Sequence, residues 1–89
     1  MKRKKNAAMD NYFGILYLLY SSHGITIKEI SNKLNISTWS VYHAIFLLEN
    51  KYGVEIENIN QQGRKQILII KSYGAFNIEW IINNTNPPG

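Results

Sequence analysis

Side chains able to carry chemistry are few in this chain, and their spacing excludes most of it. His23 and His43 lie far apart, with no cysteine and only Asp10 as an aspartate to join them, so no metal site is expected. The five glutamates show no paired placement for acid–base work: Glu29 belongs to a helix start, and Glu55 and Glu57 to the outer face of a strand. Gly63 stands alone in a turn, without the glycine-rich loop that follows a strand and holds phosphate. No catalytic residue, no cofactor and no enzyme activity are therefore expected, nor any small-molecule ligand. What remains is aromatic and cationic: Trp39, Tyr42 and His43 close together, the cluster Lys2-Arg3-Lys4-Lys5, and the pair Arg64-Lys65. Such groups hydrogen-bond phosphates and base edges, or form the apolar centre of a protein interface.

The aromatic group sits in the stretch from Thr26 to Leu48, which holds two helix-start signals. Thr26 with Glu29 makes a T-x-x-E capping box, in which hydroxyl and carboxylate each satisfy a free backbone N–H. Ser37 opens the second helix. Ile25 with Ile30, and Ile36 with Val41, occupy the staple positions around the two caps. Only Asn35-Ile36-Ser37 separates Leu34 from the second start, so two short helices are joined by a tight turn: a helix-turn-helix. The second helix runs from Thr38 to about Tyr52, closed by Gly53, with Val41, Ile45 and Leu48 as its core stripe and Ala44 packed alongside.

A helix from about Met9 to Ser22 precedes this unit. It is apolar nearly all round, in two stripes, Tyr12-Ile15-Leu19 and Phe13-Leu16-Tyr20. One stripe belongs to the core; the other needs cover from the C-terminus or from a second subunit. His23-Gly24 ends the helix, with the glycine available for a left-handed cap. After Gly53, the β-branched runs Val54–Ile59 and Gln66–Ile70 bracket the turn Asn60–Lys65 and predict a hairpin. Ile59 falls out of phase, which predicts a bulge or an early end of pairing near Asn58. The second strand is apolar on both faces and should lie inside a small sheet, against Ile25–Ile27. Asn77 caps a last short helix, Ile78 to Asn83, with Phe76 and Ile81 at its staple positions.

Helix, helix-turn-helix and two-stranded wing in this order resemble the winged helix-turn-helix proteins, above all the N-terminal modules of DeoR-type and biotin-repressor-type regulators. The resemblance covers about residues 10 to 73. The family pattern is matched by Thr26, Glu29, Ile30, Ser31, Leu34, Ile36, Ser37, Ser40, Val41, Ile45 and Leu48. Most of these positions are core; Ser31 stands where the two helices must approach closely. The resemblance implies a mainly α fold with a small β-sheet: a three-helix core, a two-stranded wing and a short C-terminal helix. It also implies that the helix after Ser37 enters a DNA major groove, with Thr38, Trp39, Ser40, Tyr42 and His43 as its candidate contacts. Here the chain departs from the family. Between Lys33 and Lys51 there is no basic residue, whereas such helices usually carry an arginine or lysine to read guanine or anchor phosphate.

The formal net charge is +4, all of it from Lys2, Arg3, Lys4 and Lys5; from residue 6 onward acids and bases balance. Residues 1–8 are expected to be a disordered basic arm, 9–83 one domain, and 84–89 a disordered tail. Backbone contacts to DNA would come from the arm, from Lys28 and Lys33 near the ends of the first helix of the pair, and from Arg64 and Lys65 at the wing tip. No apolar run approaches the ~20 residues of a membrane span, and no signal-peptide core follows the basic start. A cytoplasmic, nucleoid-associated transcriptional regulator is expected, with double-stranded DNA as partner and a homodimer formed through the first helix and the C-terminal segment. The competing expectations are a winged-helix protein–protein adaptor and a non-specific architectural or segregation protein.

Overall fold

The computed structural model describes residues 7–61 and 65–85, with side chains described from 11 to 59 and from 66 to 85. In chain order the elements are α1 (Ala7–Ser21), α2 (Ile27–Leu34), α3 (Thr38–Tyr52), β1 (Glu55–Gln61), β2 (Lys65–Ser72) and α4 (Ile78–Asn84). This is the mainly helical architecture with a two-stranded wing that the sequence predicts. The first helix starts at Ala7, two residues ahead of the expected Met9, because Ala7 and Ala8 favour helix more than any other residue.

Local chemistry sets the helix ends. The backbone N–H of Glu29 donates to Thr26 Oγ1 at 3.1 Å, and that of Thr26 donates to Glu29 Oε1 at 2.9 Å, completing the capping box of α2. Asn35, the residue type after glycine that best tolerates left-handed backbone, ends α2 at φ 59°. Ser31 then closes the turn twice. Its carbonyl accepts from Ile36 N–H at 3.1 Å, and its hydroxyl donates to the Ile36 carbonyl at 2.6 Å. The next residue, Ser37, caps α3 by accepting from Ser40 N–H at 3.0 Å.

The three helices bury Ile15, Leu16 and Leu19 of α1, Ile30 of α2, and Val41, Ala44 and Leu48 of α3 in one cluster. Ile45, expected in the core stripe of α3, is only half-buried at its margin, and Ala44 holds the inner position. At 100° per residue the rows 41, 44, 48 and 41, 45, 48 span the same 60° arc, so periodicity alone does not choose between them. The small Ala44 lets the helices approach. Gly24 has φ 139°, more extended than the left-handed cap expected of it.

The wing pairs antiparallel with Asn58 opposite Leu68 and Ile59 opposite Ile67. No bulge occurs at Asn58. The register shift lies at Glu55/Ile56, at the mouth of the hairpin, and the ladder beyond it is continuous. Ile59 then simply faces outward, opposite Ile67, as a single exposed apolar residue that needs no irregularity to accommodate it. Leu68 also exchanges hydrogen bonds with Ile25: Leu68 N–H to the Ile25 carbonyl at 2.8 Å and Ile25 N–H to the Leu68 carbonyl at 3.3 Å. β2 therefore pairs with β1 along one edge and meets Ile25 on the other through a single bridge at Leu68, short of the strand neighbour expected at Ile25–Ile27.

The second stripe of α1 is covered by the chain's own tail. Phe13 packs edge-on against Phe76, ring centroids 6.2 Å apart, and against Trp80 at 5.8 Å; Tyr52 joins Tyr12 and Phe76; Ile81 is fully buried. Gly74 makes the return possible. It has φ 58°, and a Cβ there would run into the Tyr52 carbonyl oxygen, while Ala75 N–H donates to that same oxygen at 2.9 Å. Cover for α1 thus requires no second subunit. Among the described residues no helix is long and apolar enough to cross a membrane.

Candidate nucleic-acid interface

With Val41, Ala44 and Leu48 turned into the core, helical geometry turns Trp39, Tyr42, His43 and Phe46 outward. Trp39 is 69 % exposed, Tyr42 59 % and Phe46 60 %. His43 stacks flat on Trp39, one turn earlier, with ring centroids 5.0 Å apart and planes inclined by 8°. The outer face of α3 is thus an aromatic ridge about two turns long.

On one side of the ridge, Tyr42 borders an open groove of about 490 Å³, shared with Thr26, Lys28 and Asn32 of the α2 start and helix, and with Gln66 of the wing. On the other side, Trp39 and His43 border a smaller hollow of about 120 Å³, shared with Ser40 and with Asn11 and Tyr12 of α1. The groove brings together one cation, one carboxylate (Glu29, engaged in the capping box), a hydroxyl, two amides and a phenol. The cation, amides and phenol can hydrogen-bond phosphate or a base edge, while the carboxylate opposes phosphate. The N-termini of α2 and α3 both carry Ser or Thr caps. Their remaining first-turn N–H groups and dipole ends favour an anion nearby.

The sequence candidates do not all converge here. Thr38, Trp39, Tyr42 and His43 are exposed on α3, and Lys28 lines the groove beside Tyr42. Ser40 is half-buried, and its hydroxyl accepts from Ser37 Oγ at 3.0 Å, so it takes part in the cap rather than in the outer face. Lys33 is exposed in the last turn of α2 and does not line the groove. Lys2, Arg3, Lys4, Lys5 and Arg64 lie outside the described residues. Lys65 opens β2, but its side chain is likewise not described. Phe46 was absent from the sequence candidates. Its signal was legible: it follows Trp39 by seven residues and Tyr42 by four, opposite the core row. Gln66 and Asn32 carried no comparable signal, because only folding brings the wing and α2 beside Tyr42.

Three helices packed round one core, the second and third joined by a tight capped turn, with a β-hairpin beside them, define a winged helix-turn-helix, a DNA-binding module. A family model described as an HTH domain matches residues 13–65, more than half of the chain, and the protein belongs to that helix-turn-helix family. Comparison with curated proteins and with solved structures finds no match.

Proposed function

We propose that this protein is a small transcriptional regulator of the DeoR and biotin-repressor type. It docks α3 in the major groove of double-stranded DNA, and sets the wing and the basic arm on the backbone or minor groove. The observation that carries this reading is the exposed face of α3, held rigidly by two caps and flanked by Lys28 and the wing. Thr38, Trp39, Tyr42 and His43 contact bases, with Phe46 beside them. Lys28, Lys33, Arg64, Lys65 and the arm Lys2, Arg3, Lys4 and Lys5 contact phosphates. Since residues 6–89 are formally neutral, most of the affinity comes from those cations. With some five phosphate contacts per subunit, log K falls against log salt with a slope of about −4 to −5.

Homodimerisation rests on narrower ground than α1 first suggested. Once α4 has docked, Tyr20 and Trp80 remain about half exposed, and two copies meeting there would read a two-fold-related site. Sedimentation at micromolar concentration giving only a ~10 kDa species removes the dimer.

The aromatic, cation-free ridge also supports a second reading, a protein–protein adaptor, because aromatic residues are enriched at interface centres. A gel shift with random and genomic duplexes at two salt concentrations separates the readings. A salt-sensitive shift with sequence preference supports the regulator. A shift without preference supports an architectural role, and no shift at low salt supports the adaptor.

A further inference from the structure

Resting on the docking proposed above, we infer that α3 selects its site by the C5-methyl groups of the major groove, so that its preferred targets are thymine-rich. The argument begins with what the outer face of α3 lacks. Guanine is read in the major groove by arginine or lysine reaching O6 and N7. In α3 the one cation is Lys51, in the last turn, near Gly53 and beyond the ridge. Adenine is read by a bidentate Asn or Gln. Asn50 is the one amide of α3, and its Nδ2 already donates to the Phe46 carbonyl at 2.8 Å. Cytosine N4 is read by a carboxylate, and Glu49 lies past the ridge toward the helix C-terminus.

What the face presents instead is aromatic surface in a row. Trp39 and Phe46 are seven residues apart on one side of the helix, with His43 stacked between them and Tyr42 beside. Seven residues at 1.5 Å rise span about 10 Å, the length of about three base-pair steps. The thymine C5-methyl is the one apolar group that unmodified base pairs present in the major groove. Rings exposed by more than half of their surface, at that spacing, suit two or three successive methyls. Besides this apolar surface the same positions offer only single hydrogen-bonding groups, the Trp39 indole N–H, the Tyr42 hydroxyl and a His43 ring nitrogen, and no bidentate reader of guanine or adenine. Burying one methyl against such a ring favours binding about fourfold, and two give roughly tenfold or more.

The test uses fluorescein-labelled duplexes of one length: alternating A·T, the same duplex with deoxyuridine for thymidine, alternating G·C, and G·C with 5-methylcytosine. Fluorescence anisotropy of the full chain at low salt gives the four affinities. The inference expects A·T to bind roughly tenfold more tightly than A·U, and methylated G·C more tightly than G·C, since both pairs differ by the same methyl in the same groove. Trp39→Ala and Phe46→Ala, both at exposed positions, should collapse the A·T to A·U ratio toward one while circular dichroism shows the fold intact. Duplex binding with equal affinity for methylated and unmethylated partners overturns the inference and leaves the docking standing. A ratio that persists in both variants also overturns it. Absence of binding to all four duplexes overturns the inference together with the docking on which it rests.

Discussion

Ser31 offers a perturbation whose sign separates two accounts of the same residue. By position it is a small side chain where α2 must approach α3 closely. In the structure its hydroxyl also donates to the Ile36 carbonyl at 2.6 Å, across the turn that orients the two helices. Ser31→Ala removes the hydroxyl and almost no volume. If small size were the whole requirement, alanine would stabilise the protein by up to ~0.5 kcal/mol, because it is the better helix former. Loss of the hydrogen bond acts the other way. The bond itself is worth about 1 kcal/mol net, and a carbonyl left partly buried without its partner costs about 1–3 kcal/mol. The half-buried setting of both residues favours the low end of that range. After the propensity gain is subtracted, the expected destabilisation is about 1–2 kcal/mol, or a fall of roughly 5–10 °C in Tm for a domain of this size. Urea unfolding followed by circular dichroism at 222 nm, with the m-value held equal, measures it. An unchanged or raised midpoint would refute the turn-closing role of the hydroxyl.

Four further perturbations test other parts of the structure. Thr26→Ala removes the side-chain acceptor of the capping box and should cost about 1 kcal/mol in the same urea assay. Gly74→Ala places a Cβ against the Tyr52 carbonyl oxygen at a left-handed φ of 58°; a loss of about 2–4 kcal/mol is expected, visible as a lowered thermal midpoint. Ile81→Ala should cost about 2–5 kcal/mol if α4 is part of the folded core, and less than about 0.5 kcal/mol if the tail is dispensable. Tyr73 titrates above its ordinary 10.0, chiefly because burial disfavours the phenolate and secondarily because Tyr20 lies near. A raised folded-state pKa leaves the contribution of Tyr73 intact below the unfolded value. That contribution is lost as pH rises above 10 and through the folded value, so Tyr73→Phe should flatten the alkaline fall of urea midpoints measured from about pH 8 to 11.

Much of the site could be read before the fold was known. Trp39, Tyr42 and His43 were legible as an outward group once Ser37 was recognised as a cap, because helical periodicity then assigns every later residue to a face. The part Ser40 takes in the cap has a local reason: a hydroxyl three residues after a serine cap can bond to the cap itself. Phe46 was open to the same periodicity argument that picked out its neighbours. The groove beside Tyr42 was not legible, since Lys28, Asn32 and Gln66 come together only when the wing packs beside α2.

The chain alone determined the helix starts of α2, α3 and α4, the turn between α2 and α3, and the existence of the wing. Each depends on groups satisfied within a few residues, by Thr26, Ser37 or Asn77 at the helix starts and by close-in-sequence pairing from Gln61 and Lys65 in the wing, and such hydrogen bonds do not wait for distant partners. Tertiary structure decided how the surplus apolar stripe of α1 is covered, where the wing shifts register, and that Ala44 rather than Ile45 faces inward. Those outcomes turn on side chains far apart in sequence competing for the same space, as when Phe13 meets Phe76 and Trp80. An apolar stripe states only that it must be buried. What buries it is settled by which surface the folded chain brings within reach.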